Sequence, residues 1–363
     1  MRFIANERLK DHGGPKGVFM KSRTLSIATF NLYNLNLPGL PVYTDKDGWS
    51  EAEFALKIDW TARQIRQLPA DVFGFQELWH AEALTQAFDT AGLSDTHDLL
   101  APADAIGKRI VCAAAVRKGL LTGTAEWISD FPPGFVLRSQ GDDPQTPEIH
   151  VSITGFSRPV PHFAIRPRDD EPEVHVYVCH LKSKAPAKVY QEGWYRADVE
   201  RYRKHAEGLG SAIATVRRTA EAAALRFILS EQMKDNDTPV IVLGDINDSQ
   251  HSNTANVLTG QPRYLMGDSQ GGGDTDLYTA QTLQEFRDTR DVYYTHVHQG
   301  MRESLDHILV SEAFYDHSRK RRWLFDGMVV NNDHLNFEDH KTSGTNDHGI
   351  IRASFAHRPF RGS

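Results

Sequence analysis

Apolar residues recur along the chain with two different periods, which predict strands and helices in alternation. Residues 25–32 (LSIATFNL) and 174–182 (VHVYVCHLK) alternate between apolar and polar positions, the period of a strand. Residues 239–247 are apolar almost throughout and end in polar residues, which indicates a buried central strand. A helix is predicted after Ser50, where apolar residues recur every three or four positions: Phe54, Ile58, Ala62, Ile65 and Leu68.

Local signals mark both ends of this helix. Ser50 followed by Glu53 is a capping-box pattern, and Pro69 cannot continue a helix. A longer helix is predicted over residues 211–234. Its expected buried face consists of Ile213, Val216, Ala220, Ala224, Phe227 and Ile228.

Strands and helices alternate over most of the chain, but residues 110–180 are rich in strands. This mixture favours one α/β (α+β) domain with mixed sheets over a purely parallel sheet. We expect the domain to cover residues 24–363, after an N-terminal arm at 1–23. An aromatic and charged segment at about 185–206 is interpreted as an insertion in this domain.

The composition narrows the classes of function. The 363 residues include 41 Lys and Arg against 48 Asp and Glu, which gives a formal net charge of -7. This mild acidity argues against holding nucleic acid by a basic surface alone, but not against a site whose metal ions supply positive charge. No apolar run reaches the roughly 18 residues of a membrane span. The N-terminus lacks the apolar core of a secretory signal, so we expect a cytoplasmic protein. Cys112 and Cys179 lie in apolar segments and are expected to be buried thiols.

Polar side chains that can carry chemistry stand at the ends of several predicted strands. Loops at strand ends commonly present functional groups on a rigid scaffold. The residues concerned are Asn31, Glu77, His180, Asp245 with Asn247, Asp306, and Asp347 with His348.

The chemical types in this set suit a divalent cation and a phosphate. Asp245 and Asn247 are two positions apart, so strand alternation would point both to one face. Glu77 offers another oxygen, and Mg²⁺ prefers one or two carboxylates together with water and phosphate oxygens. Next to Asp347, the imidazole of His348 can move a proton near neutral pH.

Competing motifs fail on their spacing. An EF-hand that began at Asp245 would have Gln250 at the turn position that requires glycine. The sequence contains no CxxC, HExxH, P-loop or GxSxG motif, which leaves zinc sites, nucleotide-binding loops and α/β-hydrolases without support.

The sequence resembles the endonuclease/exonuclease/phosphatase superfamily of metal-dependent phosphoesterases. The resemblance rests on the ordered motifs TFNL, FQEL, CHLKSK, GDIND, SLDHILVS and NDHG, and extends from about residue 24 to 356. HLKSK followed by RRTAEAAALR is also similar to a bacterial branch of these proteins. The resemblance implies a DNase-like fold, a four-layer sandwich of two mixed β-sheets flanked by helices, with the site at the edge where strand ends meet.

The resemblance also implies the metal ligands. Glu77 would be the principal ligand, and Asn31 and Asp347 would support the same metal or a second one. Asp245 would lie at the metal as well. The expected cofactor is Mg²⁺ or Mn²⁺, with Ca²⁺ as a further candidate.

Five residues take catalytic roles by the same resemblance. Asp245 and Asn247 would orient the attacking water and hold the scissile phosphate, and His180 would donate to a phosphate oxygen. His348 would be the general base or acid, with Asp306 holding its ring.

Four further residues are candidates for binding the substrate. Lys182 lies two residues after His180, so strand alternation would place both side chains on the same face. One of Arg217 and Arg218 should face the site, and we take Arg217 as the candidate. Trp194 and Tyr195 lie in the insertion at 185–206, which we interpret as a flap over the site that sets substrate choice.

The sequence therefore predicts a divalent-metal-dependent phosphodiester hydrolase, a nuclease or phosphodiesterase that acts by in-line attack of water. DNA or RNA is the leading substrate class. Tyr33 stands where abasic-site endonucleases carry a carboxylate, which disfavours that repair activity. The alternatives are a phosphomonoesterase or a sphingomyelinase-like lipid phosphodiesterase on the same site. An inactive binding module is a remote alternative, because the site residues are all present. The oligomeric state does not follow from the sequence.

Overall fold

The computed structural model describes residues 23–43, 46–141, 145–262, 275–289, 293–337 and 339–361 of the chain. The predicted N-terminal arm at 1–23 therefore lies outside the described residues, apart from Arg23. Within these ranges, no helix is both long enough and apolar enough to cross a membrane.

The described residues form strands and helices in alternation. The strands are β1 (Thr24–Leu35), β2 (Val72–His80), β3 (His97–Leu100), β4 (Ile106–Arg117), β5 (Leu121–Asp130), β6 (Arg138–Ser139), β7 (Ile149–His150), β8 (Gly155–Ile165), β9 (Val174–His180), β10 (Val240–Asp245), β11 (Tyr278–Thr279), β12 (His296–His298), β13 (Met301–Glu303), β14 (Asp306–Val310), β15 (Trp323–Asn331) and β16 (Ile350–His357). The α-helices are α1 (Glu51–Gln67), α2 (Ala81–Ala91), α3 (Gly193–Ala197), α4 (Val199–Tyr202), α5 (Ala206–Met233), α6 (Asn253–Thr259), α7 (Ala280–Arg287) and α8 (His340–Ser343). Short 3₁₀ helices lie at Val189–Gln191, Arg203–His205, Glu312–Phe314 and Asp333–Asn336.

Two six-stranded sheets dominate the architecture. The first has the strand order β15-β16-β1-β2-β4-β3, and the second has the order β11-β14-β10-β9-β8-β5. Each sheet is mixed, because β1 with β2 and β9 with β10 are parallel pairs while their outer neighbours run antiparallel. The predicted α/β fold of two mixed sheets flanked by helices is confirmed.

The largest apolar core lies between the two sheets. It contains Ile27 and Val72 from the first sheet together with Val178 and Leu243 from the second. The sheets approach closely at Gly74, where a Cβ atom would lie 2.2 Å from Leu243 Cδ1. Two further cores lie under α1 and α2 on one side and under α5 and α6 on the other. Both cysteines are buried free thiols, as predicted.

The helices confirm one local prediction and contradict another. The Ser50 hydroxyl accepts a hydrogen bond from the backbone N–H of Glu53 at 3.3 Å, and the Glu53 carboxylate accepts from the N–H of Ser50 at 2.9 Å, so the capping box forms. The predicted buried face of α5 is wrong at Ile213, Val216 and Phe227, which are exposed, although Ala220 and Ala224 are buried as predicted. The face that packs combines the apolar residues Ala214, Leu225 and Leu229 with two polar residues, Arg218 and Glu221.

Candidate active site

Strand pairing in the second sheet brings three polar side chains to one edge. The parallel strands β9 and β10 end together, with His180 opposite Asp245. Strand β14 runs antiparallel and begins at the same edge, with Asp306 opposite Asp245. His348 precedes β16 and completes the group, which we call the histidine cluster (His180, Asp245, Asp306 and His348). All four residues are buried.

His348 is held by a carboxylate on each side. Its Nδ1 lies 2.8 Å from Asp306 Oδ2, and its Nε2 lies 3.9 Å from Asp245 Oδ2. Burial alone lowers the pKa of His348, but Asp306 and Asp245 outweigh it and raise the pKa well above its ordinary value. The raised pKa favours the protonated imidazole, which can give a proton from Nε2.

Asp245 is positioned by the backbone around it. Gly244 has φ +142°, and a Cβ atom there would lie 1.9 Å from the carbonyl oxygen of Cys179, so only glycine fits. Burial is the main cause that raises the pKa of Asp245, against the opposing effect of His348. A carboxylate with a raised pKa can accept a proton from water near neutral pH.

Asn247 is placed by a turn and not by strand alternation, contrary to the expectation from its spacing. β10 ends at Asp245, and Asn247 has φ +55°. The Asp245 side chain accepts the N–H of Asn247 at 2.8 Å, and the Asn247 amide donates to the carbonyl of Leu181 at 3.0 Å. The turn thus ties the end of β10 to the loop after β9.

His180 is the neutral member of the histidine cluster. Burial lowers its pKa well below the ordinary value, and the nearby positive charges of Arg158 and His348 add to the effect. Its Nε2 lies 3.6 Å from Asp245 Oδ2, too far for a hydrogen bond. A neutral imidazole in this position can donate one hydrogen bond to an anionic oxygen.

Bulges in the first sheet aim the remaining residues at the same edge. The pairing of β1 with β2 shifts after Asn31, where Tyr33 (φ +48°) and Asn34 (φ +55°) are left-handed. Glu77 has φ +57° at a register shift between β2 and β4. A non-glycine residue with positive φ is uncommon, and such strained positions cluster at functional sites.

Hydrogen bonds join these bulges to the second sheet, to each other and to the loop before β16. The Asn31 amide donates to Asp245 Oδ2 at 3.2 Å, and the backbone N–H of Asn34 donates to Glu77 Oε2 at 3.1 Å. The Asn346 amide donates to the carbonyl of Asn31. The loop that carries Asp347 and His348 is therefore fixed to β1.

Glu77 and Asp347, which we call the carboxylate pair, have the electrostatics of a cation site. Both are half-buried. Burial raises the pKa of Glu77, and the negative charge of Asp347 raises it further. Among the described residues, the buried Oδ1 of Asp347 has no hydrogen-bond donor. Carboxylate and amide oxygens are the ligands that Mg²⁺ and Mn²⁺ prefer, so Glu77, Asp347 and Asn31 fit such a metal.

A second grouping could also hold a cation by distance alone. One ligand atom each from Asp245, Asp306 and His348 lies within 4.8 Å of the others. In this group, however, His348 already donates to Asp306 and its positive charge compensates the carboxylates. We therefore favour the carboxylate pair as the metal position.

Lys57 is a buried cation beside the carboxylate pair, and the sequence analysis missed it. Its Nζ lies 5.5 Å from the ring centres of Tyr33 and Trp49 and 5.4 Å from that of Trp60. It donates to the carbonyl of Thr345 at 3.2 Å and to the Asn346 side chain. Burial lowers the pKa of Lys57 to about 7, although Asp347 and Glu77 act to raise it.

Arg158 on β8 is a second residue that the sequence analysis missed. Its positive charge helps to lower the pKa values of His180 and Glu77, so its guanidinium lies within electrostatic reach of both halves of the site. The half-buried side chain reaches toward the carbonyl of Leu181 at 3.5 Å. Arg158 does not lie in a catalytic motif. The one signal that could have identified it is strand alternation, which would point this arginine toward the interior.

Two of the expected substrate-binding residues, Lys182 and Arg217, have surroundings that differ from the expectation, and their role in binding stays a prediction. β9 ends at His180, so alternation does not carry over to Lys182, whose Nζ donates to its own loop at Ser183 and Ala185. Arg218, not Arg217, is the buried arginine of α5, and its Nε lies 3.4 Å from Asp248 Oδ2. Arg217 is half-buried.

The insertion at 185–206 folds into short helices against α5. The N–H of Ala187 donates to the carbonyl of Gly210 at 3.0 Å. Tyr195 is buried, whereas Trp194 is exposed and packs edge-on against Tyr202 at 4.9 Å between ring centres. The flap role of Trp194 and Tyr195 stays a prediction.

Comparisons with known proteins agree with this fold. The model of the endonuclease/exonuclease/phosphatase family matches residues 28–343. Truncated Caenorhabditis elegans TDP2 is similar with a TM-score of 0.52 and 12% identity, covering 93% of this chain and 99% of that chain. An endonuclease/exonuclease/phosphatase from Bacteroides vulgatus is similar with a TM-score of 0.51 and 13% identity, covering 93% and 100%. D. rerio TDP2 complexed with single strand DNA product is similar with a TM-score of 0.51 and 15% identity, covering 92% and 99%.

At these identities the structural likeness shows the fold alone. No curated protein matches the chain. The placement in a bacterial branch stays a prediction. The family model, by contrast, matches residues 28–343, which is most of the chain. The chain therefore belongs to the endonuclease/exonuclease/phosphatase family, whose members are hydrolases that act on phosphoesters.

Proposed function

We propose that this protein is a phosphodiester hydrolase that depends on a divalent metal, Mg²⁺ or Mn²⁺, and acts on nucleic acid. The observation that carries the proposal is that His348, whose Nδ1 lies 2.8 Å from Asp306 Oδ2, and the half-buried carboxylate pair lie at one edge of the sheets. One half supplies a proton and the other binds positive charge, which are the two needs of phosphoryl transfer.

The residues of the histidine cluster divide the proton transfers. Asp245, whose pKa is raised by burial, accepts a proton as water attacks phosphorus. His348 Nε2 gives its proton to the leaving oxygen as the phosphorus–oxygen bond breaks. Neutral His180 donates to a non-bridging oxygen of the phosphate. Asn247 keeps Asp245 in place through its backbone N–H.

Glu77, Asp347 and Asn31 would hold the metal. When bound, the cation neutralises charge on the phosphate and lowers the pKa of coordinated water. Lys57 and Asn346 hold the loop of Asp347 against β1, so the chain itself orients this ligand.

Nucleic acid is the favoured substrate for two reasons. The structurally similar D. rerio TDP2 was crystallised with a single strand DNA product. In this chain, Arg158 adds a positive charge beside the site. Monoesters and lipid phosphodiesters are the alternatives that the experiment separates.

The test is a substrate panel with the purified protein. Single-stranded DNA, plasmid DNA, RNA, bis-p-nitrophenyl phosphate, p-nitrophenyl phosphate and sphingomyelin vesicles are each incubated with Mg²⁺, Mn²⁺, Ca²⁺ or EDTA. We expect hydrolysis of the nucleic acids and of the diester with Mg²⁺ or Mn²⁺, and none with EDTA.

Two outcomes contradict the proposal. Hydrolysis that persists undiminished in EDTA, with the protein cleared of metal beforehand, removes the metal dependence. A strong preference for p-nitrophenyl phosphate or sphingomyelin over the nucleic acids replaces the substrate class.

A further inference from the structure

A groove lies beside the carboxylate pair and is not used by the mechanism above. It runs between the loop at 40–43, Trp79 at the end of β2, and the start of β4 at Ile106, and its volume is about 630 Å³. This size accommodates one planar ring system with its neighbouring sugar.

One wall of the groove is an exposed aromatic ring. Tyr43 is 40% exposed and lies edge-on to Trp79, with the ring centres 5.2 Å apart. Ile106, also exposed, lines the same groove. Tyr43 has φ +60°, an uncommon conformation for a bulky residue. The loop therefore accepts backbone strain to present this ring.

A short chain of contacts links the groove to the expected metal ligand. The Trp79 indole N–H donates to the Asn34 side chain at 3.0 Å. The backbone N–H of Asn34 in turn donates to Glu77 Oε2 at 3.1 Å. A ligand seated against Tyr43 would lie next to a phosphate held at Glu77.

The rim of the groove carries positive charge. Lys108, Arg109 and Lys188 line it, and its described lining residues include no acidic side chain. Arg109 is paired with Asp104, which lies outside the lining, so Lys108 and Lys188 carry most of this charge. Lys46 also approaches the Tyr43 ring, with Nζ 5.9 Å from its centre. An aromatic wall with a cationic rim complements a base attached to phosphates.

We propose that this groove binds a nucleobase of single-stranded nucleic acid, stacked on Tyr43, next to the scissile phosphate. A single strand is required because a base in a duplex is covered on both faces by its neighbours. The inference rests on the proposed function, since it names the form of substrate that the same site receives.

Binding of two hexamers tests the proposal without any hydrolysis. A fluorescein-labelled hexathymidylate and an abasic hexamer with the same number of phosphates are titrated in EDTA, and Kd is read from fluorescence anisotropy. The quantity of interest is the ratio of the two Kd values, which isolates the bases from the phosphates.

The variants are chosen to respect the strained backbone. Tyr43→Asn removes the ring with a residue that tolerates positive φ, and Tyr43→Phe keeps the ring. Phe227→Ala is the control, since Phe227 is an exposed aromatic residue on α5. Phe227 is remote from the site, because it lies nine residues, roughly 14 Å along α5, beyond Arg218, which contacts the loop after β9.

We expect the wild-type protein, Tyr43→Phe and Phe227→Ala to prefer hexathymidylate. In Tyr43→Asn the preference should fall about tenfold, as the loss of one stacked base predicts. An unchanged preference in Tyr43→Asn overturns the proposal. Equal binding of the two hexamers by the wild-type protein also overturns it, as does the absence of binding to either hexamer at about 1 mM protein. Turnover of the same hexathymidylate with Mg²⁺ or Mn²⁺ is measured separately, so a failure of the proposed function is recognised by itself.

Discussion

The histidine cluster and the carboxylate pair lie at one edge of the two sheets, yet only the histidine cluster contains a cation that compensates its carboxylates. In the histidine cluster, His348 donates to Asp306, and its positive charge partly compensates the two carboxylates in a buried environment. The carboxylate pair is half-buried, and its negative charges raise the pKa of Glu77. The histidine cluster therefore contains its own compensating cation, whereas the carboxylate pair needs a cation from solution.

The two groups also arise from different structural devices. Regular pairing of β9, β10 and β14 aligns His180, Asp245 and Asp306 across neighbouring strands. The carboxylate pair depends on irregular backbone, with Glu77 in the left-handed region and Asp347 in a loop. The regular half is suited to fixed proton transfer, and the irregular half can adapt to a ligand.

The largest expected effect comes from removing the proton donor. His348→Ala should lower kcat on bis-p-nitrophenyl phosphate by about 10³-fold, within the range for general acid–base catalysis. His150→Ala, which changes an exposed histidine on β7, is the control and should leave kcat unchanged. Near-normal activity of His348→Ala would remove the histidine cluster from the mechanism.

Glu77→Gln should have the next largest effect, because it removes a charge from the expected metal ligands. We expect kcat/KM to fall by about 10²-fold at fixed Mg²⁺, with partial recovery as Mg²⁺ is raised. Glu82→Gln, on the exposed first turn of α2, is the matched control. A Mg²⁺ dependence identical to that of the wild type would show that Glu77 is not a ligand.

Asp306→Asn tests the charge balance of the histidine cluster through pH. Asp306 raises the pKa of His348, so its neutralisation should lower that pKa. His348 must be protonated to act as an acid, and the alkaline limb of the kcat profile should therefore move to lower pH, with kcat reduced by about tenfold to a hundredfold. If the alkaline limb of the kcat profile did not move in Asp306→Asn, that limb would report the titration of a group other than His348.

Lys57→Met gives the smallest effect, and it is an effect on stability. Burial lowers the pKa of Lys57 to about 7 in the folded protein, against an unfolded value near 10.4. Between these values the unfolded chain binds one more proton, so this group makes the wild type more stable as pH rises, by about 1.4 kcal/mol per unit.

The measurement for Lys57 is Tm from pH 7 to 10 in the absence of metal. The Tm of the wild type should rise relative to that of Lys57→Met as the pH increases from 7 to 10. Lys118→Met, at an exposed lysine, should run parallel to the wild type. If Tm depended on pH in the same way in Lys57→Met and the wild type, Lys57 would be solvated and its pKa would not be lowered by burial.

Much of the site was predictable from residues that terminate strands. His180, Asp245 and Asp306 fall together because parallel strands end at a common edge and an antiparallel neighbour begins there. Asn31 and Glu77 were expected at strand ends but reach the same edge from bulges within β1 and β2. Period-two alternation predicted the strands, and the capping box predicted the start of α1.

The remainder depends on packing that no local pattern encodes. Lys57 is buried because rings from three segments, Tyr33, Trp49 and Trp60, converge on it. The buried face of α5 contains Arg218 and Glu221 because they bind the loop after β9. Arg218 donates to the carbonyl of Lys182, and Glu221 accepts its N–H.

The most direct test of the division between the two halves is metal binding without substrate. Free Mn²⁺ is measured by electron paramagnetic resonance during titration of the wild type, Glu77→Gln and His348→Ala. The account predicts that Glu77→Gln weakens Mn²⁺ binding by about tenfold to a hundredfold, whereas His348→Ala binds as well as the wild type or more tightly, since it loses a positive charge. The opposite order, with binding lost in His348→Ala and kept in Glu77→Gln, would place the metal in the histidine cluster and contradict the account.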